Sequence, residues 1–162
     1  MLLKFFTNSS ASAYLRELAE EFDESTNAVR HELNNLSTAG YLIYYDEGRT
    51  IRYKANINHP LYNEVRNLVH KYLGIDKIID HVLSRIGDLQ AAFIVGDYAV
   101  GKDSGTIELI LVGAINEPYM KRLIEKAKSL LHRNIKARII SVVEFENTKR
   151  EFNSALLIWR NV

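Results

Sequence analysis

Gly96-Asp97-Tyr98-Ala99-Val100-Gly101, running on into Thr106-Ile107-Glu108-Leu109-Ile110-Leu111-Val112, is the stretch on which the fold of this chain turns. Upstream, Ala91-Ala92-Phe93-Ile94-Val95 is a short apolar run that stops at Gly96. A second apolar run begins at Ile107 and ends at Val112-Gly113. Runs of this length, rich in β-branched residues and bounded by glycine, predict two buried strands. Between them Gly96 and Gly101 punctuate a turn or short helix, whose free backbone N–H groups are of the kind that face a phosphate.

This order of features resembles the minimal nucleotidyltransferase domain of the polymerase-beta superfamily. The signature of that domain runs Gly-Ser, a short helix, Gly, then Ser-Asp-x-Asp-Leu on the next strand. The resemblance covers about the last half of the chain. In the family, the serine helps to hold nucleotide phosphate, and the two aspartates point to one face of their strand and chelate magnesium. Here Gly96 and Gly101 take the glycine positions, Asp97 stands at the serine, Thr106 at the first aspartate and Glu108 at the second.

The substitutions matter because magnesium requires hard anionic oxygens, which it bridges to phosphates that are already anionic. A threonine hydroxyl at Thr106 lacks that charge, and a carboxylate at Asp97 repels phosphate where phosphate should sit. A third carboxylate is expected on the later strand, but Lys136-Ala137-Arg138-Ile139-Ile140-Ser141-Val142-Val143 offers none before Glu144. The expectation is a degenerate nucleotide site at Gly96, Asp97, Gly101, Thr106 and Glu108. It has no catalytic residue, no metal and no cofactor. A rearranged acid set of Asp97, Asp103 and Glu108 is the alternative.

A length of 162 residues suits one ordinary domain or two small ones. With 47% hydrophobic residues and two prolines, the chain is expected to fold throughout. The absence of cysteine excludes disulfides, thiolate–zinc sites and cysteine catalysis. Met1-Leu2-Leu3-Lys4-Phe5-Phe6 is too short an apolar run for a signal peptide, and no run approaches membrane-spanning length. A cytoplasmic location without membrane contact is expected. The net charge of +1 decides nothing about nucleic acid by itself, because a small domain can cluster its cations while staying near neutral.

In the first half, the segment from Ser12 to Phe22 places Leu15, Leu18, Ala19 and Phe22 on one helical face with charges opposite. Asp23-Glu24-Ser25 breaks this helix. The next runs from Ser25 or Thr26 through Thr38, with Val29, Leu33 and Leu36 as its buried stripe, until Gly40 stops it. The segment from Tyr41 to Ala55 carries two aromatic and β-branched runs around Asp46-Glu47-Gly48, which predicts a hairpin.

Helix, turn, polar helix and basic hairpin make a winged helix-turn-helix arrangement. The run from Leu18-Ala19-Glu20 through Ser25-Thr26-Asn27-Ala28-Val29-Arg30-His31-Glu32-Leu33-Asn34-Asn35-Leu36 to Ala39-Gly40-Tyr41-Leu42-Ile43 resembles ArsR-like bacterial and archaeal repressors. The match covers about residues 1–60. It implies a recognition helix in the major groove of double-stranded DNA, with Ser25, Thr26 and Asn27 meeting phosphate or bases first. Arg30, His31 and Asn34 follow along the helix, and Arg49, Arg52 and Lys54 supply the positive charge of the wing.

His59-Pro60 marks a break. Leu61 to Leu73 then has Leu61, Val65, Leu68, Val69 and Tyr72 on a helical face, a stripe suited to the core or to pairing with a copy of itself. A helix from Ile75 to Ile86 comes next, then the two strands, a helix opened by Asn116-Glu117-Pro118, a strand at 137–143, a helix at 146–152 and a closing apolar segment at 155–159. The expected architecture is α/β in two small domains: a winged helix-turn-helix at 1–60, a connecting helix at 61–74, and a nucleotidyltransferase-like mixed-sheet domain at 75–162. The expected protein is a DNA-binding transcriptional regulator and not an enzyme. It is expected to be a homodimer, with its second domain used for dimerisation, sensing or docking of a protein partner. The alternative is an active, antitoxin-like nucleotidyltransferase targeted by its winged helix.

Overall fold

A computed structural model describes residues 1–148 and 152–161. The chain mixes helices with two separate sheets. It divides into two units, Met1–Val69 and His70–Val162.

The first unit starts with α1 (Leu2–Phe6), β1 (Ser12–Tyr14), α2 (Leu15–Phe22) and α3 (Thr26–Thr38), followed by the hairpin of β2 (Leu42–Glu47) and β3 (Thr50–Ala55). Phe5, Phe6, Leu18, Leu33 and Leu42 form its buried centre. α2 ends on Asp23 in the left-handed conformation, φ 52°. Two residues later the Ser25 hydroxyl accepts the Ala28 amide at 3.1 Å and caps α3.

The three strands lie in the order β1-β3-β2, all antiparallel. Ala13, Leu42, Tyr53 and Ala55 are buried on one face of this sheet. Because opposed residues share a face, Ser12, Tyr14, Arg52 and Lys54 lie on the other. The helix expected to open at Ser12 therefore begins only at Leu15. Residues 12–14 pair with Arg52–Lys54 instead, and the Glu17 carboxylate accepts the Tyr14 amide at 3.0 Å to start the helix there.

α4 (Tyr62–Leu73) contains the division between the units. In the second unit, α5 (Ile75–His81) is shorter than its apolar spacing predicts, and a tighter 3₁₀ turn at Leu83–Arg85 takes up the rest. Then come β4 (Gly87–Val95), a 3₁₀ turn at Gly96–Val100, β5 (Thr106–Ile115), α6 (Glu117–Leu131), β6 (Asn134–Ile140), α7 (Val142–Thr148) and β7 (Leu156–Arg160). The sheet order is β6-β5-β4-β7. β5 and β6 are parallel, joined through α6, and the other pairs are antiparallel.

One face of this sheet carries the fully buried Ile94, Ile107, Leu109 and Leu111. The opposite face carries Ala91, Ile110, Val112 and Ile140, packed with Phe93, Val95, Phe145 and Phe152. Phe93 stacks on Phe145 with ring centroids 5.2 Å apart. β6 and α7 begin earlier than expected: β6 is complete at Ile140, and the Ser141 hydroxyl accepts the Glu144 amide at 3.1 Å at the start of α7. Of the helix expected at 146–152, residues 149–151 lie outside the described residues.

Candidate functional site

In the second unit, Gly96, Asp97, Ser104, Thr106, Glu108 and Lys136 line an open pocket of about 380 Å³. Strand pairing explains the set. Glu108 sits opposite Val95 on β4 and opposite Lys136 on β6, and Thr106, two residues earlier, shares its face. Gly96 has φ +68°, and a Cβ built there would stand 2.8 Å from Glu108 Oε2. The Glu108 carboxylate thus packs against bare backbone, which is the physical requirement for glycine at this position.

The pocket brings together two carboxylates, two hydroxyls and one ammonium. Ser104 and Lys136 were not singled out in the sequence. The signal for Lys136 was its place on β6, which only the parallel register sets beside Glu108. An ammonium lining the same pocket as these two carboxylates disfavours a divalent cation there. Among the described residues no cluster of three or more His, Asp or Glu side chains is arranged to hold a metal ion. Gly101 does not line the pocket. It closes the 3₁₀ turn at φ 79°, its amide donating to the Tyr98 carbonyl at 3.2 Å.

Asp103, the third member of the rearranged acid set, is engaged elsewhere. Its carboxylate accepts from Arg133 Nη2 at 2.7 Å, from the Tyr98 hydroxyl, and from the Gly105 amide at 3.3 Å. Arg133 Nε also donates to the Tyr98 oxygen at 2.8 Å. The Arg133 guanidinium holds the Asp103 carboxyl below its ordinary range. Burial, and then the hydrogen bond to Asp103, pushes the Tyr98 phenol up. This cluster ties the loop after the 3₁₀ turn to the start of β6 and removes Asp103 from the pocket.

In the first unit, Ser25, Thr26, Asn27, Arg30, His31 and Asn34 are all exposed. Asn27, Arg30, His31 and Asn34 follow the spacing of one helical strip. Arg30 Nη1 donates to Asn27 Oδ1 at 3.2 Å. His31 lines a shallow depression with Met1, Phe22, Glu24 and Glu32, at the edge of that strip.

The hairpin cations divide. Arg49 is exposed at the tip beside Gly48. Arg52 is bound from three sides: its Nε donates to Glu47 Oε2 at 2.5 Å, Nη1 to Ser12 Oγ at 3.1 Å and Nη2 to the Tyr14 hydroxyl oxygen at 2.5 Å. Tyr14 and Arg52 hold the Glu47 carboxyl below its ordinary range. The Lys54 ammonium lies 5.5 Å from the Tyr45 ring centroid. Arg52 and Lys54 share the sheet face turned away from the core, so of the three expected wing cations only Arg49 sits at the tip.

No protein-family model matches the chain, and no curated protein matches it. Among solved structures it is similar to a chain of a toxin–antitoxin complex solved with AMP-PNP, at 20% identity and a TM-score of 0.44, over 55% of this chain and 75% of that one. It is similar to a chain of the Shewanella oneidensis complex of a tri-AMPylated HEPN toxin with MNT antitoxin, at 16% identity and a TM-score of 0.40, over 55% and 71%. A third is a protein proposed to be a nucleotidyltransferase, from Sulfolobus solfataricus, at 20% identity and a TM-score of 0.35, over 56% and 82%.

No helix among the described residues is long and apolar enough to cross a membrane.

Proposed function

We propose that the chain is a DNA-binding transcriptional regulator, with α3 as the recognition helix of a winged helix-turn-helix and the β2–β3 hairpin as its wing. The second unit is a nucleotidyltransferase-like module without a working metal site, used for dimerisation, sensing or docking of a protein partner. The observation that carries this reading is α3 itself. It buries Val29 and Leu33, is capped by Ser25, and presents Thr26, Asn27, Arg30 and Asn34 to solvent.

A helix of this size fits the major groove, and those side chains hydrogen-bond to phosphates or base edges. The electrostatics are modest. Arg30 and Arg49 are the exposed cations of this surface, so each chain neutralises about two phosphates and two chains about four. Binding of a duplex across a salt series tests it, with a slope of log K against log salt of about −2 per chain. Failure to bind duplex at low salt eliminates this reading.

The pocket supplies a second reading, an antitoxin-like nucleotidyltransferase, because Asp97 and Glu108 line the same cavity. Calorimetry with magnesium and each of the four nucleoside triphosphates separates the two. Absence of heat with all four removes the enzyme.

A further inference from the structure

On α4 the apolar residues fall on two faces. Tyr62, Val69 and Leu73 are buried, whereas Leu61, Leu68 and Tyr72 are 49%, 65% and 64% exposed, with Val65 half-buried between them. Leu61 belongs to the helix in effect, since its carbonyl accepts the Val65 amide at 3.0 Å. Residues 61, 65, 68 and 72 repeat at alternating intervals of four, three and four, the spacing of a coiled-coil seam. Arg133 lies over the Tyr72 ring, 5.7 Å from its centroid, but Leu61 and Leu68 stay largely in water, so the apolar face of this three-turn helix is left uncovered for most of its length.

We infer that this seam is the interface between two copies of the chain, with the two α4 helices antiparallel across a two-fold axis. Antiparallel pairing about a centre between Val65 and Leu68 sets Leu61 against Tyr72 of the second copy, and Val65 against Leu68. Each of these layers occurs twice by symmetry. The charges bordering the seam choose the direction. Glu64 and Lys71 are both exposed and occupy the same flanking position of successive heptads, on the side away from the buried residues. In an antiparallel pair these flanks face each other, so Glu64 of one copy meets Lys71 of the other, and the reverse. A parallel pair gives neither contact. The opposite flank is formed by Tyr62 and Val69, which the chain already buries.

A free 12-residue helix would pay heavily to order itself on pairing. α4 is already held by Tyr62, Val69 and Leu73, so the seam is presented preformed. This inference does not depend on DNA binding. A dimer without duplex affinity would leave it standing, and duplex binding by a monomer would overturn it alone.

Sedimentation of the full chain over a dilution series, for the wild type, Glu64→Lys, Lys71→Glu and the double swap, tests it. The wild type sediments as a dimer. Each single swap sets two like-charged pairs against one another and raises the dimer dissociation constant by about tenfold. The double swap restores the wild-type value, because opposite charges again face each other. Leu68→Ser abolishes the dimer, with the helical circular dichroism of the monomer retained. A monomeric wild type, single swaps that dimerise as well as the wild type, or a double swap no better than the singles overturns the proposal.

Discussion

The guanidinium of Arg52 donates to the Glu47 carboxylate at 2.5 Å, across the hairpin that the two residues share. With Ser12 and Tyr14 as its other acceptors, Arg52 ties β1 to β3 and to the end of β2. It is a positioning residue of the sheet, and its charge is already paired.

It follows that the two hairpin arginines separate in a binding experiment. Arg49→Ala should make the slope of log K against log salt shallower by about one per chain. Arg52→Ala should leave the slope unchanged and lower the thermal midpoint of the first unit. Equal slopes in wild type and Arg49→Ala, with a shallower one in Arg52→Ala, would reverse this assignment.

The Arg133–Asp103 pair makes a prediction in pH. Arg133 depresses the Asp103 pKa below the ordinary value of 3.8. The stability it contributes is therefore complete above that value and is lost as pH falls through the lowered pKa of the folded state. Asp103→Asn should cost about 1 kcal/mol near neutrality, a modest amount because the pair is partly solvated. The difference in melting temperature from wild type should close as the pH is taken below the ordinary carboxylate range. A constant difference at all pH values would show that charge is not the source.

Two glycines should respond unequally to alanine. At Gly113, φ is +145° and an added Cβ would stand 2.2 Å from the backbone oxygen of Asp88, within the β4–β5 pairing. Backbone cannot swing aside there, so Gly113→Ala should cost about 3 kcal/mol or more. At Gly96 the obstruction is the flexible Glu108 carboxylate, and the cost should be about 1–2 kcal/mol, mostly from the left-handed backbone. Denaturant unfolding of the two variants measures both. A larger loss at Gly96 than at Gly113 would contradict the geometry.

Much of the secondary structure was legible because it rests on local signals. The strands β4 and β5 announce themselves as apolar runs bounded by glycine. α3 and α6 are marked by Ser25 and Asn116 as caps and by their apolar stripes. What was not legible depends on partners distant in sequence. Residues 12–14 look helical, but β3 supplies a better set of hydrogen bonds about 40 residues away. The charge of Arg52 resembles that of a free wing cation until Glu47, Ser12 and Tyr14 are placed around it. Asp103 looks available for a metal until Arg133 claims it, and Lys136 enters the pocket only through the register of β5 with β6. The start of α7 was missed for a local reason. Val142-Val143 reads as strand, which masks Ser141 as the cap of the helix that follows.

The most direct test of the central claim is fluorescence anisotropy of a random-sequence duplex, titrated with the full chain from low salt upward. We expect binding at low salt, with log K falling linearly with log salt at a slope of about −2 per chain, or about −4 for a two-fold pair. Arg30→Ala should make it shallower by about one per chain and weaken binding uniformly across duplex sequences. Absence of binding at the lowest salt, or a slope and affinity indifferent to Arg30→Ala and Arg49→Ala together, would contradict α3 as a recognition helix.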